Sequence, residues 1–179
     1  MEMKDRYIIT NETISIKSSF DSFANHYSLV IQGHETFLVA QKPTTILNNS
    51  MLYYGTSLIG GIQSAKSILG NVSWCPVEVC SELDIYWFPL HSPRHGECIW
   101  LALAHTLRPE KISPFTTRIN HSYGHSFTID MKLGSFNKKK NNAIQLRHSH
   151  QQRKTRRALY FYEPQSGFQL ISESPANKL

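Results

Sequence analysis

The sequence contains few cysteines and no apolar run long enough to cross a membrane. Its three cysteines, Cys75, Cys80 and Cys98, are an odd number without a repeating spacing, so we expect reduced thiols in the cytoplasm rather than a disulfide framework. The longest weakly polar stretch, residues 58–69, is interrupted by glycines and polar residues, whereas a membrane span needs about 20 mostly apolar residues. The charged N-terminus lacks the apolar segment of an export signal. We therefore expect neither export nor a membrane partner.

Acidic residues are absent from one long stretch of a basic chain. The chain has 19 Lys and Arg against 13 Asp and Glu, a formal net charge of +6, which favours polyanionic partners such as nucleic acid. No acid occurs between Asp130 and Glu163. The basic residues of this interval are Lys132, Lys138, Lys139, Lys140, Arg147, Arg153, Lys154, Arg156 and Arg157. Their concentration indicates where a polyanion would bind.

The composition and the apolar pattern together predict a single α+β domain. Hydrophobic residues form 40% of the chain, which is enough for a core, and domains usually contain roughly 100–200 residues. We expect one domain over residues 1–157 and a short C-terminal tail over residues 158–179. Extended segments are predicted at residues 7–16, 27–31, 36–39, 77–90, 99–104, 116–120 and 125–131. The first three indicate an antiparallel meander, and the last two indicate a hairpin.

Two helices are predicted in the first half of the chain. Residues 44–49 could form a short helix, since Pro43 is well suited to the first helical position. Residues 57–69, which follow Tyr53-Tyr54-Gly55, place apolar residues at near-helical spacing. The pair Gly60-Gly61 weakens this second helix by about 1–2 kcal/mol relative to two alanines.

The basic region is predicted to include a C-terminal helix. Ser135 could cap a helix that begins near Asn137, because a serine hydroxyl can accept a hydrogen bond from an unpaired backbone N–H group. The buried side of this helix would carry Phe136, Ala143 and Ile144, which is a thin apolar stripe.

Three segments of the chain, taken in order, resemble one protein family. The first comprises Lys42-Pro43, Ile46 and Tyr53-Tyr54-Gly55-Thr56-Ser57-Leu58-Ile59-Gly60. The second runs from Pro76-Val77-Glu78-Val79 through Ile85-Tyr86-Trp87-Phe88-Pro89-Leu90 and Ser92-Pro93-Arg94 to Cys98-Ile99-Trp100. The third is the hairpin around Gly124 with Gly134-Ser135-Phe136-Asn137. Over residues 7–150 the chain resembles the competence transcription factor (ComK) family of Gram-positive bacteria.

This resemblance implies a transcriptional activator of competence (DNA-uptake) genes, with no enzymatic activity and no cofactor. It implies binding to paired A·T-rich boxes of double-stranded DNA as a homo-oligomer, dimer or tetramer, with minor-groove contacts and bending. Such a protein would be cytoplasmic and associated with the nucleoid when bound to DNA. The stretch Ala158-Leu159-Tyr160-Phe161-Tyr162-Glu163-Pro164 is similar to the family's segment captured by an adaptor of the Clp protease, with Glu163 as an insertion, and the tail is shorter than the family's.

The DNA contacts are expected from the basic region. A·T tracts have narrow minor grooves with an enhanced negative potential, which attracts inserted Arg and Lys side chains. The predicted contact set is Lys138, Lys139, Lys140, Arg147, Arg153, Lys154, Arg156 and Arg157, with Arg94 and Arg118 as further candidates. Alternatively, the lysine run could solvate a helix, and Arg94 could pair with Glu97 within a turn.

Two other functions are compatible with the residues. A small metal-dependent nuclease or hydrolase could use the histidine pairs His91 and His95, His121 and His125, and His148 and His150. The turn and hairpin contexts of the first two pairs disfavour a shared metal ion, so we expect no metal site. An RNA-binding protein could stack unpaired bases on Tyr86, Trp87, Phe88 and Trp100, although these rings are better suited to a core.

Overall fold

The computed structural model describes residues 2–92, 98–155, 159–163 and 167–171, with the backbone alone described in the last two ranges. The strands are β1 (Met3–Lys4), β2 (Thr13–Phe20), β3 (His26–Gln32), β4 (Glu35–Val39), β5 (Val77–Cys80), β6 (Ile85–Pro89), β7 (Ile99–Ala102), β8 (Glu110–Lys111), β9 (Thr117–Asn120), β10 (Ser126–Ile129), β11 (Leu159–Glu163) and β12 (Gly167–Ile171). The helices are α1 (Pro43–Tyr53), α2 (Leu58–Leu69) and α3 (Leu133–Thr155), with a 3-10 turn at Ser122–Gly124. The α+β prediction is confirmed.

The main sheet contains seven strands in the order β1-β4-β3-β2-β7-β6-β5. Its neighbouring strands are antiparallel except for β1 and β4, which are parallel. The predicted meander corresponds to β2, β3 and β4. The extended segment predicted at residues 99–104 forms β7, which pairs with β2 on one side and β6 on the other. The predicted hairpin forms β9 and β10 of a smaller three-stranded sheet, β10-β9-β8.

The first two helices begin where the sequence predicts. Pro43 occupies the first position of α1, which continues beyond the predicted residue 49 to Tyr53. Gly55 has a φ of +86°, a left-handed conformation that glycine adopts without steric strain, and it turns the chain between the helices. Ser57 caps α2, because its hydroxyl oxygen accepts a hydrogen bond from the Gly60 N–H group at 3.1 Å.

The two faces of the main sheet carry different partners. Successive side chains of a strand point to opposite faces, so Trp87 packs in a core with α1, whereas its neighbour Phe88 packs in a second core. Ile46, Leu47 and Met51 supply the helical side of the first core. Ile119 and Ile129 of the small sheet, together with Phe136 and Ala143 of α3, supply the second.

Helix α3 differs from its prediction at its start and on its buried side. It begins at Leu133, four residues before Asn137, because the Phe136 N–H group already donates a helical hydrogen bond to the Lys132 carbonyl at 3.1 Å. Ser135 lies within the first turn rather than at the cap. Phe136 and Ala143 are buried as predicted, but Ile144 is 47% exposed.

Leu146 takes the buried position predicted for Ile144. Residues three apart share a helix face, so Leu146 lies on the same side of α3 as Ala143. Ile144 is rotated by about 100° from Ala143 around the helix axis. Leu146 packs with Ala65, Cys75 and Tyr86 in a third buried cluster.

The chain divides into two compact units, Met1–Arg147 and His148–Leu179. The second unit contains an antiparallel hairpin in which β11 pairs with β12, with Leu159 opposite Ile171. These two strands were not predicted by the sequence. The boundary between domain and tail at residues 157 and 158 stays a prediction.

Two expectations about the chain as a whole can be compared with the described residues. Cys75, Cys80 and Cys98 are buried free thiols. Of the helices within the described ranges, none combines the length and the apolar character needed to span a bilayer.

Candidate nucleic-acid interface

A pocket of about 400 Å³ lies between the loop after α2 and the first half of α3. It is lined by Asn71, Val72, Ser73, Trp74, Ser135, Lys138, Lys139 and Asn142. The polar side chains in this set are amides, hydroxyls and ammonium groups, with no carboxylate among them. Hydroxyl, amide and ammonium donors are the side chains that proteins commonly present to phosphate oxygens. The pocket therefore suits an anionic ligand.

The loop that forms one wall of this pocket is fixed by short-range contacts. Gly70 ends α2 with a φ of +76°, and its carbonyl oxygen accepts a hydrogen bond from the Val72 N–H group at 2.9 Å. The buried Cys75 thiol donates to the Val72 carbonyl at 3.3 Å. Trp74 between them has a φ of +56° and remains 43% exposed. The loop thus holds a large aromatic ring at the surface of the pocket.

Helix α3 supplies the two cations of the pocket. The Lys139 ammonium lies 4.2 Å from the centre of the Trp74 ring, a cation–π contact. Burial lowers the pKa of Lys139, and the neighbouring charge of Lys138 lowers it further. Lys138 is exposed. Lys139 therefore fixes the wall of the pocket, and Lys138 presents its charge to solvent beside it.

Lys140 and Arg147 contact other parts of the same chain. The Lys140 ammonium donates hydrogen bonds to the carbonyl oxygens of Thr106 at 2.8 Å and Leu107 at 2.9 Å. Burial lowers the pKa of Lys140. The Arg147 Nε–H group donates to the Asp84 carboxylate at 2.8 Å, and this contact raises the pKa of Arg147. Both side chains attach α3 to loops of the main body.

The other predicted contact residues are placed elsewhere. Arg118 lies on β9 and forms an exposed ion pair with Glu110 at 3.9 Å. Arg153 and Lys154 lie in the last turn of α3, within the second unit. Arg94, Arg156 and Arg157 lie outside the described residues. Of the predicted set, the structure brings Lys138 and Lys139 together at this pocket. It brings Lys140 and Arg147 together at a second pocket, which is also lined by Asp84.

The histidines considered as metal ligands form no metal site within the described residues, and His95 lies outside those residues. In the part of the chain that the structure describes, no group of three or more His, Cys, Asp or Glu side chains is arranged to hold a metal ion. The His125 ring instead contacts the Gly33 carbonyl oxygen at 2.8 Å, and His121 is buried against Phe127. His148 and His150 are two positions apart on a helix and so point in different directions.

The aromatic residues considered for RNA stacking are core residues. Tyr86, Trp87, Phe88 and Trp100 are each at most 1% exposed. The prediction that they pack in the core is confirmed, and none of these rings offers a face for a base.

Sequence reasoning missed most of the pocket. The run of lysines pointed to Lys138 and Lys139, but Trp74 and Ser73 were not singled out, because no local pattern links them to a helix far along the chain. An exposed tryptophan in a polar Asn-Val-Ser-Trp turn was the available signal. Ser135 was interpreted as a helix cap and as part of a family segment, and Asn142 was not interpreted.

One comparison with known proteins identifies the family of the chain. The family model of the ComK protein matches residues 4–155. No curated protein and no solved structure is significantly similar to the chain. The family match spans most of the 179 residues, including the three segments that carry the resemblance and both walls of the pocket. The chain therefore belongs to the ComK family of competence transcription factors.

Proposed function

We propose that this protein activates competence genes by binding paired A·T-rich boxes of double-stranded DNA as a homo-oligomer in the cytoplasm, through the minor groove and without catalytic chemistry. The membership of the ComK family supports the class of function. The observation that carries the site is the pocket beside α3, whose polar lining consists of hydrogen-bond donors and two lysines. In this proposal the pocket holds a phosphate of the DNA backbone.

The phosphate contact follows from the charge and position of the lining residues. Lys138 presents an exposed ammonium group next to Ser135 and Asn142 on the same side of α3. Ser73 and Asn71 face them from the loop. Each phosphate neutralised by such a group releases counterions. The slope of log K against log salt becomes more negative by about 0.9 for each such contact. Binding should therefore weaken steeply as salt is added.

The preference for A·T-rich DNA follows from groove shape rather than from base-specific hydrogen bonds. The narrow minor groove of A·T tracts concentrates negative potential and favours an acid-free, lysine-bearing surface. Residues 131–162 contain no acidic residue and supply the lysines for such a surface. We assign phosphate contacts to Lys138 and Lys139, and we keep Arg94, Arg118, Arg153, Lys154, Arg156 and Arg157 as further candidates. Lys140 and Arg147 add positive potential while they hold α3 in place.

A gel-shift titration tests this proposal directly. Purified full-length protein is titrated against a duplex with two spaced A·T boxes and against a G·C-scrambled duplex, at several salt concentrations. We expect selective, salt-sensitive binding to the first duplex. Lys138→Gln should make the negative slope of log K against log salt shallower by about 1. The matched control is Lys42→Gln, which changes an exposed lysine at the start of α1 whose side chain makes no capping hydrogen bond.

Lys42 is a stringent control because α1 packs on the other face of the main sheet from α3. Equal effects of the two substitutions would mean that only net charge matters and would remove the pocket from the proposal. Equal binding to both duplexes would contradict the A·T selectivity. Tighter binding to an unpaired RNA competitor would favour RNA as the ligand.

A further inference from the structure

The turn between β8 and β9 carries a large apolar ring into solvent. Phe115 is 65% exposed and Ile112 is 49% exposed, and Pro114 between them is also exposed. A single exposed apolar residue needs no explanation. Three of them on one short turn, next to cations, form a defined surface, which we call the Phe115 tip (residues 112–115).

The Phe115 tip is rigid. The Ile112 and Ser113 N–H groups both donate to the Thr116 carbonyl oxygen, at 3.0 Å and 3.2 Å. The Phe115 N–H group donates to the Ser113 hydroxyl at 3.2 Å. Pro114 has a restricted φ angle. Because the turn is already ordered, the ring can be inserted into a partner with little further loss of conformational entropy.

The rim of the tip has a small excess of positive charge. The Lys132 ammonium lies 5.0 Å from the centre of the Phe115 ring, and Lys111 at the other end of the turn is exposed. Of the nearby carboxylates, Glu110 pairs with Arg118 at 3.9 Å and Asp130 is exposed, so these two acids and the three cations together carry a net charge of +1. An apolar point flanked by two lysines complements a groove whose walls are phosphate and whose base steps can admit an apolar wedge.

The tip adjoins the proposed phosphate pocket through α3. Lys132 directly precedes Leu133, the first residue of α3. Ser135 and Lys138, one and two turns further along, line the pocket. A DNA duplex that lies along the first two turns of α3 would reach both the pocket and the Phe115 tip.

We propose that Phe115 inserts into the DNA minor groove as a wedge that partly unstacks one base step. This inference rests on the proposed function and adds to it the position of the bend. Minor-groove proteins use apolar side chains as wedges of this kind and kink the duplex toward the major groove. Within A·T-rich DNA the TA step is the most easily unstacked. The proposal therefore assigns the tip to a TA step inside the A·T box.

The test places a 2-aminopurine, whose fluorescence rises when the base unstacks, at the TA step of an A·T-box duplex. End-to-end energy transfer on a labelled copy of the same duplex reports bending. Wild-type protein should raise the 2-aminopurine signal and shorten the end-to-end distance. In Phe115→Ser both effects should be lost and affinity should fall roughly tenfold, a typical effect of removing a ring that stacks on a base. The slope of log K against log salt should not change, because no phosphate contact is removed.

Two further variants make the comparison specific. Phe23→Ser is the matched control, since Phe23 is 84% exposed on the turn between β2 and β3, and it should behave like the wild type. Phe115→Leu retains an apolar wedge and should retain most of the bending. Circular dichroism checks that the exposed substitutions leave the fold unchanged.

The outcomes separate this proposal from the function on which it rests. If Phe115→Ser binds, unstacks and bends the duplex like the wild type, the wedge is refuted and the proposed function stands. If Phe115→Ser changes the oligomeric state without DNA and leaves the 2-aminopurine signal intact, the ring is a contact between copies of the chain and the wedge is refuted. If the wild type does not bind the A·T duplex at all, both proposals fail.

Discussion

His121 should make the stability of the protein sensitive to mild acid. The residue is 2% exposed, and its ring stacks on Phe127 with 4.8 Å between the ring centres. Among the described residues neither ring nitrogen has a well-formed hydrogen bond. Burial lowers the pKa of His121 to about 4. A contact with the His105 backbone raises the pKa in part, and the positive charge of Lys140 lowers it further. The neutral imidazole is therefore strongly favoured in the folded state.

The size of the effect follows from the linkage between protonation and folding. An unfolded histidine has a pKa of about 6.5, so between about pH 6.5 and pH 4 the unfolded state binds the proton that folded His121 excludes. The contribution to stability is complete above about pH 6.5 and is lost as the pH falls toward 4. For a folded pKa of about 4, the loss between pH 7 and pH 5 amounts to about 2 kcal/mol.

Urea denaturation at pH 7 and pH 5 measures this loss. We expect the free energy of unfolding of the wild type to fall by about 2 kcal/mol more than that of His121→Leu over this interval. Any packing cost of leucine is present at both pH values and cancels in the comparison. His148→Leu, at an exposed histidine of α3, should keep the wild-type pH dependence. An unchanged pH dependence in His121→Leu would refute the reasoning.

Three further substitutions test contacts of the fold by urea denaturation. Lys140→Met should lower the free energy of unfolding by about 1–3 kcal/mol, because two carbonyl groups lose a charged donor, and it should leave the DNA salt slope near the wild-type value. A double-mutant cycle on Arg147 and Asp84, a partly exposed pair, should give a coupling of at most about 1 kcal/mol that shrinks with salt. Gly61→Val should lower the free energy of unfolding by about 1–3 kcal/mol, because an added Cβ would lie 2.6 Å from the Met51 methyl group. Gly61→Ala should change it by less than about 1 kcal/mol, since that methyl group can move and alanine favours the helix.

The secondary structure was largely predictable because its signals are local. Pro43 acts on its own turn and the apolar spacing of residues 57–69 is local too, and the two helices begin at Pro43 and Leu58, each one residue from its predicted start. The prediction for α3 was wrong at its start and at Ile144. The apolar stripe of this helix is thin, so the sequence defines poorly which side of the helix faces the core. The strands β11 and β12 were missed, since their pairing joins two short runs that were interpreted as a tail.

The candidate site was predictable only in its charge. The run Lys138 to Lys140 is visible in the sequence, but three adjacent helical residues point in three directions, separated by about 100° each. One of them faces solvent, one lies over Trp74 and one binds two backbone carbonyls. Local sequence carries no information about these partners, which are far away along the chain.

By itself, therefore, the sequence determined the α+β class, most of the helices and strands, the acid-free basic region and the resemblance to the ComK family, since each of these depends on composition, on local periodicity or on motifs in order. The tertiary structure alone decided which cations line a pocket, which hold α3 in place through Thr106 or Asp84, and that the Phe115 tip adjoins the start of α3. The reason is physical: burial, ion pairing and cation–π contacts depend on distances between elements, and folding brings these elements together from remote parts of the chain.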